Sequence, residues 1–529
     1  MKIKKSIDTC IQQIKSDIDL SRIKKSVLFA VLFGFIVHGS NFFNYVNCHD
    51  SMGAFYQKSD VLWKIRLGRF MQAVTIPLRG YDNIPLINGV LSLIFIGLSS
   101  YVIVKTLDIK SRVSIYFISA LIITSISYIM TNLMYFHELD PFMLALLFAS
   151  VGVYIFNKFR LGYIIASVPI ALCCGLYQPY MSVAIVLLMI LLIKDVLNGV
   201  HSREVIYKSI KAACTLLLAG VIYIILYKTI IALVDADISK IKYNNIEKIF
   251  TFDFENIGNT LFLTYWTAIK LFFFTYGGNL HISTLIVNTS LVIIFLILTI
   301  KRIVHYRISI TNIIILSVIL SLIPFAINIA TFISSGIFHE LMGFSLVLLY
   351  VLFQMIVDIF NVRKRLKLLV YGLLSVLIFN GASFANRLYV ERSIFSENSS
   401  ALSFDLYKEI IIDENFIQNN NIPIMIIGNS FNLQMFYSKY TDKMYVADKR
   451  ILYLCSTSSM IPISRPKSNY KLYFKTDLNF VKPEEERDFT LDDELNKMPI
   501  YPAEGYMKCV RDTIFVKFPF EPQNFEATK

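Results

Sequence analysis

Apolar runs close to the length that crosses about 30 Å of hydrocarbon recur over the first three quarters of the chain, separated by short basic or polar stretches. They predict spans at roughly 26–46, 84–104, 113–131, 141–156, 161–176, 179–193, 212–234, 283–300, 308–326, 341–360 and 368–385, about eleven in all. Residues 26–46 are followed by many further spans and by no small-residue cleavage site, so the first run is expected to stay in the protein. One more stretch, TLFLTYWTAIKLFFFTY at 260–276, is almost long enough to cross. If it crossed, KRIVHYR at 301–307 and every later basic loop would change sides. It is therefore predicted as an interfacial or re-entrant helix, with Tyr265, Trp266, Phe272–Phe274 and the single Lys270 at headgroup level.

Beyond residue 385 the pattern changes. Short β-branched or aromatic runs at 422–428, 443–447, 470–474 and 513–518 alternate with polar segments such as KPEEERDFTLDDE at 482–494. The chain thus divides into a polytopic α-helical membrane module, 1–385, and a small α/β domain, 386–529. Within that domain Cys455 and Cys509 either form a disulfide or remain two buried thiols.

Composition agrees with a chain whose solvent is lipid: of 529 residues 55% are hydrophobic and 17% charged, and the mean hydropathy is +0.58. The formal net charge of +13 does not indicate nucleic acid, because the lysines and arginines cluster in short loops rather than along one soluble face. Their positions are topological. Lys2, Lys4, Lys5, Lys15, Arg22, Lys24 and Lys25 place the N-terminus in the cytoplasm. Every second loop is then basic, as with Lys105, Lys110 and Arg112, or Lys158 and Arg160, while 131–140, 176–179 and 327–340 carry no lysine or arginine. An odd number of spans leaves 386–529 on the outer side. The seven cysteines show no CxxC pair and no His–Cys ligand spacing, so no zinc or iron–sulfur site is read. Cys173 and Cys174 fall inside an apolar run as packing residues.

The first outer segment, 47–83, is too long for a mere turn. From Asp60 onward it is predicted as one surface helix with Trp63, Leu67, Phe70 and Val74 in a narrow arc and Arg66 and Arg69 flanking it. Just upstream stand His49 and Asp50, so a carboxylate and two guanidinium groups are expected together at the bilayer surface. Such a set suits transfer of a sugar held on a lipid phosphate: the carboxylate takes the acceptor proton and the cations stabilise the departing phosphate. The plainer alternative makes Asp50 a solvated acid or helix cap and the arginines headgroup anchors. The second outer loop adds His137, Glu138 and Asp140, where Asp140 before Pro141 also fits an ordinary helix start. His339 and Glu340 stand at the mouth of the tenth span, with capping or headgroup contact the simpler role for His339. In GLYQPYMS at 175–182, Tyr177, Gln178 and Tyr180 either line a sugar or lipid cleft or form a tight turn at Pro179.

Taken in order, these pieces resemble the type II serotype-converting (Gtr) O-antigen glucosyltransferases of GT-C architecture. The resemblance rests on Asp50 after the first span followed by Gly68-Arg69, on Asp140 leading into the fourth span, on Gly175-x-Tyr177-Gln178, and on the closing MPIYPAEGYMKCVRDTIFVKF at 498–518. A single Asp50 preceded by His49 stands where paired acids are usual, and Phe70 follows Gly68-Arg69 where Pro or Trp is usual. The resemblance implies a hexosyltransferase of the bacterial inner membrane; no cofactor is expected, with a divalent metal left open. It would take glucose or a related hexose from undecaprenyl phosphate on the periplasmic face and add it to a lipopolysaccharide O-antigen or similar glycan. Asp50 and Asp140 are then the candidate catalytic acids, and Arg66, Arg69, His49, His137, Glu138, Tyr177, Gln178 and His339 the candidate substrate- or phosphate-binding residues. A flippase or transporter would place charges mid-span and show related halves, and a polysaccharide polymerase would carry its soluble part between late spans rather than at the C-terminus.

Overall fold

The computed structural model describes residues 18–44, 59–235, 256–273, 280–336, 338–360, 362–428, 476, 478–481 and 493–519. His49, Asp50 and Cys455 lie outside them, as do the strands expected at 443–447 and 470–474. The contact pattern divides the chain into two units, the first including Ser59–Asn132 and Phe136–Ala385 and the second Leu133–Tyr135 and the residues from Asn386 onward.

The first unit is helical. Among the described residues, nine helices are long and apolar enough to cross a membrane, or ten if one bent pair counts as a single span. The chain runs through α1 (Leu20–Phe43), α2 (Val61–Arg66), α3 (Gln72–Leu78), α4 (Pro85–Thr106), α5 (Ser114–Ile123), α6 (Ile126–Met134), a 3-10 turn (Phe136–Glu138) and α7 (Leu139–Lys158). It continues through α8 (Gly162–Ile165), α9 (Ser167–Leu176), a 3-10 turn (Gln178–Tyr180), α10 (Met181–Leu197), α11 (Ser202–Leu233), α12 (Ile257–Phe273), α13 (Leu280–Tyr306), α14 (Ile310–Ile327) and α15 (Ile329–Ile333). A 3-10 segment (Glu340–Val347), α16 (Leu348–Ile359) and the start of α17 (Lys364–Ile412) complete it.

Two expected spans depart from a single long helix. The run at 113–131 bends by 45° between α5 and α6, where the Ser125 hydroxyl donates to the Ile122 carbonyl at 2.8 Å. The run at 161–176 forms the apolar helical stretch Gly162–Leu176, shorter than a span, in which Ala166 keeps right-handed helical dihedrals and Pro169 leaves the Ile165 carbonyl without its helical donor. Together these are why the count falls below eleven. The stretch expected at headgroup level is α12, 17 residues long. The Thr264 carbonyl accepts from Asn328 Nδ2 at 3.2 Å, just past the end of α14, and the Phe272 carbonyl accepts from Asn288 Nδ2 at 2.5 Å. Helix α11 packs through Val205, Ala212, Thr215 and Ala219, which are buried, while Leu217, Val221 and Ile225 are exposed on a face that suits lipid.

Polar groups join the helices where lipid offers no competing partner. The Ser26 hydroxyl on α1 donates to the Gly97 carbonyl on α4 at 2.7 Å. His38 Nε2 lies 2.9 Å from the Ile123 carbonyl at the bend, and Asn41 Nδ2 donates to the Asn132 carbonyl at 2.9 Å.

The second unit contains the end of α17, α18 (Glu414–Gln418), β1 (Ile424–Ile427), β2 (Phe480–Val481), α19 (Asp493–Lys497), β3 (Met507–Val510) and β4 (Thr513–Lys517). Its sheet has the order β2-β1-β4-β3, with β1 parallel to both β2 and β4, and β3 antiparallel to β4. Arg511 and Asp512 both adopt positive φ in the two-residue turn between β3 and β4. Ile424, Ile426, Ile514 and Val516 pack on Leu402, Leu406 and Ile410 of α17. Met425, Ile427 and Phe515 pack on the other face with Leu495 and Met498. The four-residue run Ile424–Ile427 is buried throughout because both faces of this strand are covered. Lys517, the lysine of the closing Val-Lys pair, is 6% exposed. Its ammonium donates to the carbonyls of Leu495, Asn496 and Met498 at 2.9 Å each, satisfying the last carbonyls of α19. Cys509 sits half-buried on β3, where burial pushes its thiol pKa up.

Candidate functional site

The segment after α1 is not the single helix that its hydrophobic arc predicts. Asp60 accepts from the Trp63 N–H at 2.9 Å and caps α2. Six residues later the helix ends in a double turn: Gly68 N–H donates to the Ile65 carbonyl at 2.9 Å and Arg69 N–H to the Lys64 carbonyl at 2.9 Å. Gly68 closes this turn with φ +78°, a conformation that favours glycine. The chain restarts as α3, so the arc splits: Leu67 and Phe70 are buried, while Trp63 and Val74 are exposed at 37% and 56%.

Gly-x-Tyr-Gln meets this turn. Gln178 Nε2 donates to the Leu67 carbonyl at 2.7 Å, Met71 N–H to the Gly175 carbonyl at 2.9 Å, and Gln72 Nε2 to the Leu176 carbonyl at 3.0 Å. A Cβ on Gly68 would lie 2.3 Å from the Tyr223 hydroxyl and 2.6 Å from Gln178 Nε2, and one on Gly175 would lie 2.6 Å from the Phe70 ring. Both glycines are therefore the clearance that lets the two motifs close on each other. Tyr227 on α11 adds a hydrogen bond to the Arg66 carbonyl at 2.8 Å. The structure forms Gln178–Tyr180 as a tight 3-10 turn. It also puts a guanidinium on the turn's ring, with Arg69 Cζ 4.9 Å from the Tyr177 centroid and Tyr177 stacked on Phe142 at 3.8 Å.

The loop before α7 supplies the acids. Glu138, 2% exposed, accepts from Lys64, from Arg69 Nη1 at 3.5 Å and from Gln72 Nε2 at 2.6 Å. His137 Nε2 lies 3.9 Å from the same carboxylate. Asp140 falls in the first turn of α7, as its place before Pro141 suggested. It accepts from Arg79 Nη1 at 2.5 Å and from Asn88 Nδ2 at 3.0 Å, and Arg79 Nη2 reaches the His137 carbonyl at 3.0 Å. Both side chains of the Arg79–Asp140 pair are about 95% buried, with relative exposures of 4% and 5%. Arg66 Nε is buried with no hydrogen-bond partner among the described residues.

The structure thus gathers Arg66, Arg69, His137, Glu138, Asp140, Tyr177 and Gln178 into one cluster. His339 stands apart in sequence at the head of the 3-10 segment Glu340–Val347, its carbonyl accepting from Met342 N–H at 2.8 Å. That segment reaches the cluster through Phe344, stacked on Tyr180 at 4.7 Å. Lys64, Gln72, Arg79, Asn88, Tyr223 and Tyr227 belong to the cluster too, and sequence reasoning missed them. Lys64 and Arg79 lie on the same segment as the two expected arginines, and their charge was the available signal. Four cations against two carboxylates leave an excess of positive charge at a surface with buried guanidinium donors, which can receive an anionic oxygen group.

No curated protein and no solved structure matches this chain. The family described as Glucosyl transferase GtrII matches residues 39–350, a stretch that includes the turn at Gly68, both buried acids and the Gly-x-Tyr-Gln clasp. With more than half of its length matched, and with the helical architecture above, the chain belongs to the GtrII glucosyl transferase family.

Proposed function

We propose that this glycosyltransferase moves glucose, or a related hexose, from undecaprenyl phosphate to an O-antigen or similar surface glycan at the periplasmic face of a bacterial inner membrane, with Asp50 as general base. The observation that best supports this reading is the excess of cations on the outer segment, where Arg66 Nε is buried without a partner among the described residues. A buried donor left unsatisfied costs about 1–3 kcal/mol, and a phosphate oxygen removes that cost.

In the proposed step the acceptor hydroxyl attacks the anomeric carbon while the Asp50 carboxylate takes its proton. The bond from the anomeric carbon to the phosphate oxygen breaks, and its electron pair leaves with the polyprenyl phosphate. Arg66, Arg69 and Lys64 stabilise the charge that develops there. Glu138 and Asp140 act as fixed counter-ions that hold Lys64, Arg69 and Arg79 in place, while His49, His137 and His339 supply donors around the sugar. A general base is worth about 10²- to 10⁴-fold. Membranes carrying the protein are expected to transfer hexose from polyprenyl phosphate to isolated polysaccharide, and Asp50→Asn to lose at least about 10²-fold of that rate at unchanged expression. Near-normal transfer by Asp50→Asn would remove Asp50 as the base, and transfer from a nucleotide sugar without the lipid donor would overturn the donor class.

A further inference from the structure

Glu340 is a buried acid that the transfer step above does not use. It is 9% exposed and begins the 3-10 segment Glu340–Val347, whose helical dihedrals are interrupted at Gly343. Hydrogen-bond geometry inside a 3-10 helix is poor, so contacts from outside have to hold this segment. The Ser127 hydroxyl on α6 donates to the Glu340 carbonyl at 2.6 Å, and the Ser345 hydroxyl donates to the Ile327 carbonyl at 3.1 Å. The backbone that carries the Glu340 carboxylate is thereby fixed in place.

Among the described residues the Glu340 carbonyl has a partner, whereas the carboxylate has neither a hydrogen bond nor an ion pair. Glu138 and Asp140 differ in this respect, since both accept from cations and from side-chain amides. An ionised carboxylate taken out of water without a partner is costly, and a ligand that donates hydrogen bonds offsets that cost. The segment also reaches the cationic cluster. Phe344 stacks on Tyr180 at 4.7 Å, Tyr180 lies 5.6 Å from the Tyr177 ring, and Arg69 Cζ stands 4.9 Å from the Tyr177 centroid. At this junction the Tyr180 hydroxyl is buried and has no hydrogen-bond partner among the described residues.

We infer that Glu340 is a specificity-determining residue whose carboxylate accepts hydrogen bonds from hydroxyls of the transferred hexose. The inference rests on the donor reading above, which puts a sugar phosphate at the cations. The hexose is bonded to that phosphate and therefore lies beside it, next to the residues that border the cluster. A hexose hydroxyl is both donor and acceptor, so it suits an unpaired carboxylate, and it also suits the unsatisfied phenol of Tyr180. A site built to hydrogen-bond a substrate hydroxyl rejects the analogue that lacks it, because the polar group of the site is then left unpaired.

The test is transfer by membranes carrying the full-length chain, with polyprenyl-phosphate glucose and its monodeoxy analogues as donors. The unaltered protein is expected to lose at least about tenfold in kcat/KM on one analogue, the effect of losing a hydrogen bond to a charged group. Glu340→Ala is expected to lose a similar factor on glucose and nothing further on that analogue. Glu340→Gln, which keeps the shape and one accepting oxygen, is expected to keep part of the discrimination. Losses that simply multiply in the Ala variant, or equal use of every analogue by the unaltered protein, would overturn the contact. So would a raised KM for the acceptor glycan with donor selectivity unchanged. Failure of Glu340→Gln to accumulate in the membrane would make the acid structural and overturn the inference as well. Transfer from a nucleotide sugar but from none of these donors would remove the donor reading alone, and the comparison of deoxy sugars is then made with the donor that works. Transfer from neither would overturn both.

Discussion

Gln178 Nε2 reaches the Leu67 carbonyl at 2.7 Å, so a side chain following the ninth helix fixes the backbone one residue before the Gly68 turn. The same amide lies 3.1 Å from the Tyr223 hydroxyl, which itself lies 3.3 Å from the Gly68 carbonyl. Three separate stretches of chain thereby set the direction in which Arg69 leaves the turn.

Substitution at the turn should act through that closure. Gly68→Ala places a Cβ 2.3 Å from the Tyr223 hydroxyl and forces a left-handed conformation costing about 1–2 kcal/mol. Transfer activity is expected to fall by about tenfold or more, the rate equivalent of about 1.4 kcal/mol. Tyr223→Phe removes the nearer obstacle and is expected to restore part of it. A double variant no better than Gly68→Ala would show that the backbone strain alone decides the loss.

Glu138 is expected to position cations rather than to touch sugar. Glu138→Gln keeps the size and the contact with Gln72 but releases Lys64 and Arg69 from their shared anion. The KM for the lipid-linked donor should rise several-fold while expression stays normal, and Glu138→Asp should recover part of the loss. A fall in kcat alone, with KM unchanged, would place Glu138 in the chemical step instead.

The Arg79–Asp140 pair is a different case, because both partners are buried and each would be left as an uncompensated charge. Asp140→Ala is expected to destabilise the protein by about 3–5 kcal/mol, read as a lower midpoint of thermal aggregation in detergent. Replacing both residues together with apolar ones, Arg79→Met with Asp140→Leu, should cost much less than the single change. Equal costs would mean that the pair is not coupled.

Loop charge makes a prediction about sidedness. A periplasmically active reporter fused after residue 390 should be active, and one fused after Arg365 inactive, if Arg363, Lys364, Arg365 and Lys367 place that loop in the cytoplasm as the positive-inside rule expects. The reverse pattern would move the cluster at Glu138 to the cytoplasmic face and exclude a periplasmic donor.

The helices were legible because hydropathy averages over a whole span, so single interruptions hardly disturb it. The same averaging hid the bend between Ile123 and Ile126 and the shortness of the helical stretch Gly162–Leu176. The arc of Trp63, Leu67, Phe70 and Val74 read as one helix because its 3.6-residue period continues across Gly68. The better signal was local, a glycine just after the basic last turn of Lys64 and Arg66. Arg79 finds Asp140 from 61 positions away and Lys64 finds Glu138 from 74, and no local pattern encodes such partners. The sheet was half legible: 422–428 and 513–518 gave strands, while the register that joins Ile424 to Ile514 is a tertiary fact.

That register has a consequence for the order in which the protein can be made. Strand β1 lies between β2 and β4, and β4 is the last strand in sequence among the described residues. Until Thr513–Lys517 has been synthesised, Ile424–Ile427 has an open edge, and the ends of α19 lack the lysine that gathers three of their carbonyls. Helices of the first unit are local structures that can form as each emerges, whereas this sheet waits for nearly the whole chain. A ribosome that stops early would leave a bundle already in place carrying an exposed apolar strand edge, the kind of feature by which incomplete chains aggregate or are recognised and removed.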